Sequence, residues 1–178
     1  DSSPMGIYKF NTTNNPKAEL VYRPEAGPIG ANGGATLVDE KYFYCITYTK
    51  LSGTTISNEL ICYDIESWTE VSRKAIPLTT ISTDMTWNPA DQKVYGAFYN
   101  TTKNGYVFGT LDLETGAVNK LSDITLQDDK GYPAGFVVIA ANSIGEVYGI
   151  SQMGDLYKFN TEDGSYSLIG ATGYTPLY

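Results

Sequence analysis

Apolar and polar residues alternate along most of this chain in short runs, and the runs recur in a fixed order. One type is a mostly apolar stretch: Ala35-Thr-Leu-Val38, Asp84-Met-Thr-Trp87 and Phe136-Val-Val-Ile-Ala140. Each is followed by a turn-forming segment, Asp39-Glu40, Asn88-Pro-Ala-Asp-Gln92 or Asn142-Ser-Ile-Gly145, and then by a tyrosine-centred run, with the tyrosines at 44, 95 and 148. A third type ends in an Asx residue, at 11, 64, 112 and 160, whose side chain can bond the backbone two residues on. After this Asx turn comes a more polar run: Glu19-Leu-Val-Tyr22, Thr69-Glu-Val-Ser72, Ala117-Val-Asn-Lys120 and Ser165-Tyr-Ser-Leu168. Period-2 alternation bounded by Gly, Pro, Asn and Asp reads as strand. No window of helical length keeps an i, i+3, i+4, i+7 apolar pattern free of Gly, Pro or Asn, so no amphipathic helix is predicted.

One period therefore reads strand, turn, strand, loop, strand, Asx turn, strand. Four antiparallel strands in ~50 residues, the first the most apolar and the last the most polar, is the layout of one β-propeller blade. In that layout the first strand lines the central channel, buried on both faces, and the fourth is a solvated edge. The predicted class is all-β: strands three and four of one blade over 6–24, then blades at about 29–76, 77–122 and 130–170, in a single domain over 1–178. About three and a half blades is fewer than most propeller rings hold, so a piece of a larger propeller or a partial ring is expected over a small four-bladed ring closed by N- and C-terminal pieces or a ring completed by two chains, and an open arc would have apolar faces that invite self-association.

Gly105-Tyr-Val-Phe-Gly-Thr-Leu-Asp-Leu-Glu-Thr-Gly116 resembles the core of quinoprotein-type and lactonase-like propeller repeats, and the Val-Tyr-Gly tripeptides at 94–96 and 147–149 are similar to second strands of such blades. The chain from Gly6 to Gly173 is also similar to secreted propeller proteins of Bacteroidetes. The resemblance implies the fold and a secreted, periplasmic or cell-surface location. The Trp that docks neighbouring blades in quinoprotein repeats is missing after Thr115-Gly116, so no quinone cofactor is implied, and no other cofactor is expected.

Composition narrows the chemistry. About a third of the residues are Val, Ile, Thr or Tyr, which favour pleated, half-buried surfaces. With 12 Lys+Arg, 20 Asp+Glu and no His, the net charge is −8. Histidine-based nucleophilic catalysis and imidazole zinc sites are excluded. The acidic balance, without a basic cluster, argues against nucleic acid as a partner. No run approaches the ~20 apolar residues of a transmembrane helix. Asp1-Ser-Ser-Pro4 lacks the basic and apolar regions of an export signal, so the leader of an exported chain would already be gone.

Four residues are candidate ligand-binding groups. Asp84 on an innermost strand could aim a carboxylate into the channel, with Trp87 beside it as a stacking surface for a sugar ring; Asp84 could instead cap the strand start or bond the adjacent blade's backbone. Tyr132, in the long connection Gln127-Asp-Asp-Lys-Gly-Tyr-Pro133, and Tyr174 lie in loops that open onto one face of a ring. Asp123, Asp128 and Asp129 match no calcium-loop spacing and read as a solvated acidic segment, so no metal site is assigned. Cys45 and Cys62 become directly opposed if their hairpin centres on Gly53/Thr54; a bridge between opposed residues is awkward, which favours free thiols. Gly30-Ala-Asn-Gly-Gly34 leads into a strand, not a helix, and so is not read as a phosphate loop. The expected function is a non-catalytic binding or scaffold module for a glycan or protein ligand. The alternative is part of a propeller lyase or hydrolase with an acidic residue at the channel mouth.

Overall fold

The computed structural model describes residues 6–12, 15–23, 33–50, 56–77 and 80–174. Most of the Gly30–Gly34 loop and the Gly53/Thr54 hairpin tip lie outside these residues. Strands β1 (Ile7–Lys9) and β2 (Glu19–Tyr22) form a two-stranded sheet. Three four-stranded antiparallel sheets follow, each in sequential order. They are β3 (Ala35–Val38), β4 (Tyr42–Lys50), β5 (Ile56–Asp64) and β6 (Thr69–Ala75); β7 (Thr80–Asn88), β8 (Lys93–Asn100), β9 (Gly105–Leu111) and β10 (Val118–Ile124); and β11 (Phe136–Ala141), β12 (Val147–Ser151), β13 (Asp155–Phe159) and β14 (Tyr166–Ala171). Strand β7 packs against both β3 and β11, so the first strands gather side by side while the fourth strands form the outer edges.

Local chemistry explains the third-to-fourth-strand turns. Asp64 Oδ1 accepts from the Glu66 and Ser67 N–H groups at 3.0 and 3.1 Å, and Asp112 Oδ1 from Glu114 and Thr115 at 2.8 and 2.7 Å. Asn160 Oδ1 accepts from Glu162 N–H at 2.9 Å. Four residues past each Asx the backbone turns left-handed. Gly116 and Gly164 do this at φ 73° and 75°, whereas the first sheet uses Trp68 at φ 52°. Stacking of the Trp68 ring on Tyr22 (6.3 Å) and its packing on Phe43 (6.0 Å) offset the steric cost of a side chain there.

The outer strands share a further repeat. Pairing of each with its neighbour skips one residue: Val21 in β2, Val71 in β6, Leu121 in β10 and Ile169 in β14. All four are branched aliphatics placed on a β-bulge, a device that bends the strand and blunts a sheet edge.

The core lies between sheets. Val38, Ile46, Leu60 and Ile76 of the first four-stranded sheet pack on Met85, Val94, Phe98, Val107 and Leu111 of the second. Tyr95, Ala97, Phe108 and Ile124 of the second pack on Phe136, Ile139, Val147, Tyr157 and Phe159 of the third. The most continuously buried strand is β8, not a first strand. Burial of the first strands on both faces is thus corrected: Leu37 and Val138 are each 43% exposed. A second strand has a sheet neighbour on either side, whereas a first strand has one on a single side only.

The cysteine register is also corrected. Cys45 pairs with Ile61 and Cys62 with Tyr44, one residue off direct opposition, so the two thiols fall on opposite faces of the sheet. Both are free and buried, and burial pushes the Cys45 thiol up to about 12, which keeps it protonated and unreactive.

Candidate functional site

The turns between first and second strands converge from all three four-stranded sheets. Leu37, Asp39 and Glu40 come from the first, Trp87 and Pro89 from the second, and Ala141, Asn142 and Ser143 from the third; together they line a groove of about 580 Å³. Trp87 also lines a second groove of about 440 Å³, with Val38, Lys93, Leu111, Asp112 and Asn119 among its walls. The indole thus stands between two concavities, half-buried against the core formed by the first two sheets.

Both sides of Trp87 are held by side chains. Its own N–H donates to Thr36 Oγ1 of the preceding sheet at 2.7 Å. The same bond recurs one sheet later, where Ala141 N–H donates to Thr86 Oγ1 at 3.0 Å. Asn88 ties the turns together: its amide donates to Gly145 O at 3.0 Å, and its Oδ1 accepts from Ala90 N–H at 3.0 Å. These clasps hold strand ends that would otherwise fray, and so fix the walls of the groove.

The groove's acidic rim is conformationally costly. Asp39 and Glu40 both adopt left-handed φ, 51° and 53°, and Lys41 N–H donates to Val38 O at 3.1 Å, the arrangement of a type I′ turn. Neither is the residue such a turn prefers at its second position, glycine. The nearby cations turn elsewhere, with Lys41 over the Tyr42 ring and Lys93 against Asp91 at 3.8 Å. Glu40→Gly is expected to raise stability by about 1 kcal/mol, seen as a melting point higher by roughly 2–4 °C. A melting point that falls would refute the strain assignment.

Asp84 is placed differently from Trp87. Its Oδ2 accepts from the Ile139 N–H of the neighbouring sheet at 2.8 Å. Burial raises its pKa, while the Ile139 and Met85 N–H groups pull the other way. Register assigns its counterparts in the other sheets as Gly34, whose O accepts from Ile46 N–H, and Val138, paired with Ile150; in its own sheet it pairs with Ala97.

Tyr132 and Tyr174 lie away from the groove. Tyr132 is 65% exposed in the connection leading into the start of β11, with its N–H bonded to Asp128 Oδ1 at 2.8 Å. Tyr174 is 81% exposed, its N–H bonded to Thr172 Oγ1 at 3.2 Å, next to Gly154 in the turn between β12 and β13. Trp87, at the far end of a first strand, is therefore at the opposite end of the sheets from both tyrosines. Sequence reasoning passed over Asp39, Glu40 and Asn142, because it took the inner turns only as chain reversals. Their repetition in all three periods was the available signal.

No protein-family model matches the chain, and no curated protein matches it in sequence. Solved structures do. TolB from Acinetobacter baumannii is similar over 94% of this chain and 41% of its own, at 13% identity and a TM-score of 0.53. Dihydro-heme d1 dehydrogenase NirN in complex with DHE is similar over 80% of this chain and 28% of its own, at 13% identity and a TM-score of 0.48. The chain thus spans less than half the length of either. The likeness to TolB is one of fold, and together with the sheet order it establishes the architecture as that of β-propeller blades. Among the described residues, no helix is long and apolar enough to cross a membrane.

Proposed function

We propose that this chain acts as a non-catalytic binding or scaffold module, secreted or displayed at the cell surface, which takes a glycan or peptide in the groove at the convergent inner turns. The observation that carries this reading is the place of Trp87. A half-buried indole standing between two grooves is held by backbone clasps, with two carboxylates across the larger one. An indole face stacks on a sugar ring or an extended side chain, and carboxylates accept from hydroxyls or ammonium groups. A catalytic role for Asp84 has less support, because an oxygen that would handle a proton is engaged by the Ile139 amide.

Screening the chain against glycan and peptide arrays, followed by calorimetric titration of the strongest hit, tests the reading. Trp87→Ala is expected to weaken binding tenfold or more, a loss of about 1.4 kcal/mol or above. Asp84→Asn is expected to leave binding largely intact. Unchanged affinity in Trp87→Ala would remove the groove as the site, and turnover that disappears in Asp84→Asn would favour the lyase or hydrolase reading.

A further inference from the structure

Both grooves beside Trp87 lie at internal junctions: the larger is walled by all three four-stranded sheets, the smaller by the first and second. The smaller one is open because a clasp is missing. Register makes Val38 the counterpart of Asn88, since Val38 pairs with Tyr42 and Asn88 with Lys93, each two positions beyond a threonine–tyrosine pair, Thr36 with Tyr44 and Thr86 with Tyr95. Between the second and third sheets the Asn88 amide holds Gly145 O at 3.0 Å, and an added Cβ on Gly145 would lie 2.6 Å from Ala90 Cβ, so that corner is closed. Val38 has no amide to donate, and the same corner between the first and second sheets stays open, bordered by Val38, Trp87 and Lys93. An occupant that uses both grooves is elongated and crosses the indole.

Charge is distributed unevenly around that path. Among the described residues lining the larger groove, the charged ones are Asp39 and Glu40, both exposed and both on the first-sheet side. Neither has a cation at ion-pair distance among the described residues, because Lys41 lies over the Tyr42 ring at 4.9 Å and Lys93 faces Asp91 at 3.8 Å. Two carboxylates without a counter-ion, in a chain of net charge −8, attract a cation and repel an anion. A neutral sugar would stack on Trp87 but leave both charges uncompensated. The ammonium of an amino sugar pairs with a carboxylate but does not stack, and its ring would take the indole in place of the cation. A guanidinium answers every feature: it is planar, it stacks on an aromatic face, and its forked donors match carboxylates.

We infer that the occupant of these grooves is an extended peptide segment carrying an arginine, its guanidinium held between the Trp87 ring and the rim of Asp39 and Glu40, its flanking residues running along the two concavities. The inference rests on the binding reading proposed above and narrows the ligand.

A peptide array tests this, with every arginine peptide matched by its citrulline analogue, an uncharged side chain of the same shape, and with glucosamine oligomers and neutral glycans on the same surface. The strongest signals are expected from arginine peptides. In calorimetric titration of the best one, citrulline replacement should weaken binding about tenfold or more, and so should the double variant Asp39→Asn with Glu40→Gly. Asn and Gly both suit the left-handed backbone at these two positions, so the variant keeps the turn, which a melting scan checks. The citrulline comparison uses the wild-type chain and does not depend on that variant. Asp129→Asn, which removes an exposed carboxylate at the other end of the sheets, should bind as wild type does. Affinity should also fall between about 0.1 and 1 M salt, as the screening length shrinks from about 10 to 3 Å. Citrulline peptides or glycans that bind as well as arginine peptides, a folded double variant of wild-type affinity, or an equal loss in Asp129→Asn would each overturn the arginine assignment. If Trp87→Ala still loses affinity in that case, the groove stands as the site and only the ligand class fails. An array without a binder, or Trp87→Ala binding as wild type does, overturns both.

Discussion

Phe136→Ala is expected to destabilise the protein by about 3–5 kcal/mol. Phe136 is fully buried at the start of β11. Its ring meets Tyr157 edge-on at 5.4 Å, Phe159 at 4.8 Å and Tyr166 at 5.7 Å. Phe159 stacks in turn on Phe108 of the preceding sheet at 4.1 Å, so removing Phe136 opens a void beside the ring pair that joins two sheets. Neighbouring rings are stiff and cannot collapse into such a void, which places the cost toward the upper end of the range. Against a total stability of roughly 5–15 kcal/mol, a fall in melting point of roughly 6–20 °C is expected. A calorimetric scan showing a shift below that would mean that the aromatic cluster relaxes around the gap. Phe136→Leu, which keeps most of the volume, should cost markedly less.

The second large effect is at Gly34. This residue sits at φ +86°, and a Cβ added to it would lie 2.6 Å from Asp84 Cα, 2.9 Å from Met85 N and 2.5 Å from Asp84 Oδ1. Two penalties combine in Gly34→Ala: about 1–2 kcal/mol for left-handed backbone with a side chain, and about 1–3 kcal/mol for overpacking. The contacts are with backbone of another sheet, so relief requires the first and second sheets to separate. Adding Asp84→Ala should not rescue the variant, because the clash with Asp84 Cα and Met85 N remains and the Ile139 N–H loses its acceptor. Urea unfolding should place Gly34→Ala about 2–5 kcal/mol below wild type, and a loss under about 0.5 kcal/mol would show that the sheets are not packed as described.

The two variants probe opposite kinds of legibility. Phe136 stands out in the sequence as the head of an apolar run. Gly34 does not, because its need for a bare Cα is created by Asp84, fifty positions away in the chain and adjacent only after the sheets assemble. The same contrast holds at the candidate site. Trp87 was recognisable as an aromatic next to a channel-facing strand end, whereas Asp39 and Glu40 acquire meaning only when three inner turns meet around it. Asp84 was identified as a polar group on an innermost strand, but which of its possible roles geometry would fill was not decidable from spacing. Its carboxylate turns out to bond the next sheet's backbone.

Register is where pattern reading failed most clearly. Centring the β4–β5 hairpin half a residue off made Cys45 and Cys62 direct partners; the observed pairing places them on opposite faces. A period-2 pattern tolerates such a slip in the reasoning, though not in the molecule, since every side chain would change face. The bulges at Val21, Val71, Leu121 and Ile169 were invisible for a related reason. A bulge is a mismatch between two strands and leaves no mark on either one alone.

What the sequence determined by itself is the repeating unit. Asx residues at 64, 112 and 160 bond their own following amides, alternation sets which segments pleat, and glycines at 116 and 164 supply the left-handed step, all within a few residues of chain. What tertiary structure alone decided is how the units meet: the threonine clasps to Trp87 and Ala141, the packing of Gly34 on Asp84, and the groove the turns enclose. The division follows from range. Turn and strand preferences are settled by contacts a few residues apart, whereas each junction between sheets depends on partners about fifty residues away, whose identity a local pattern does not carry.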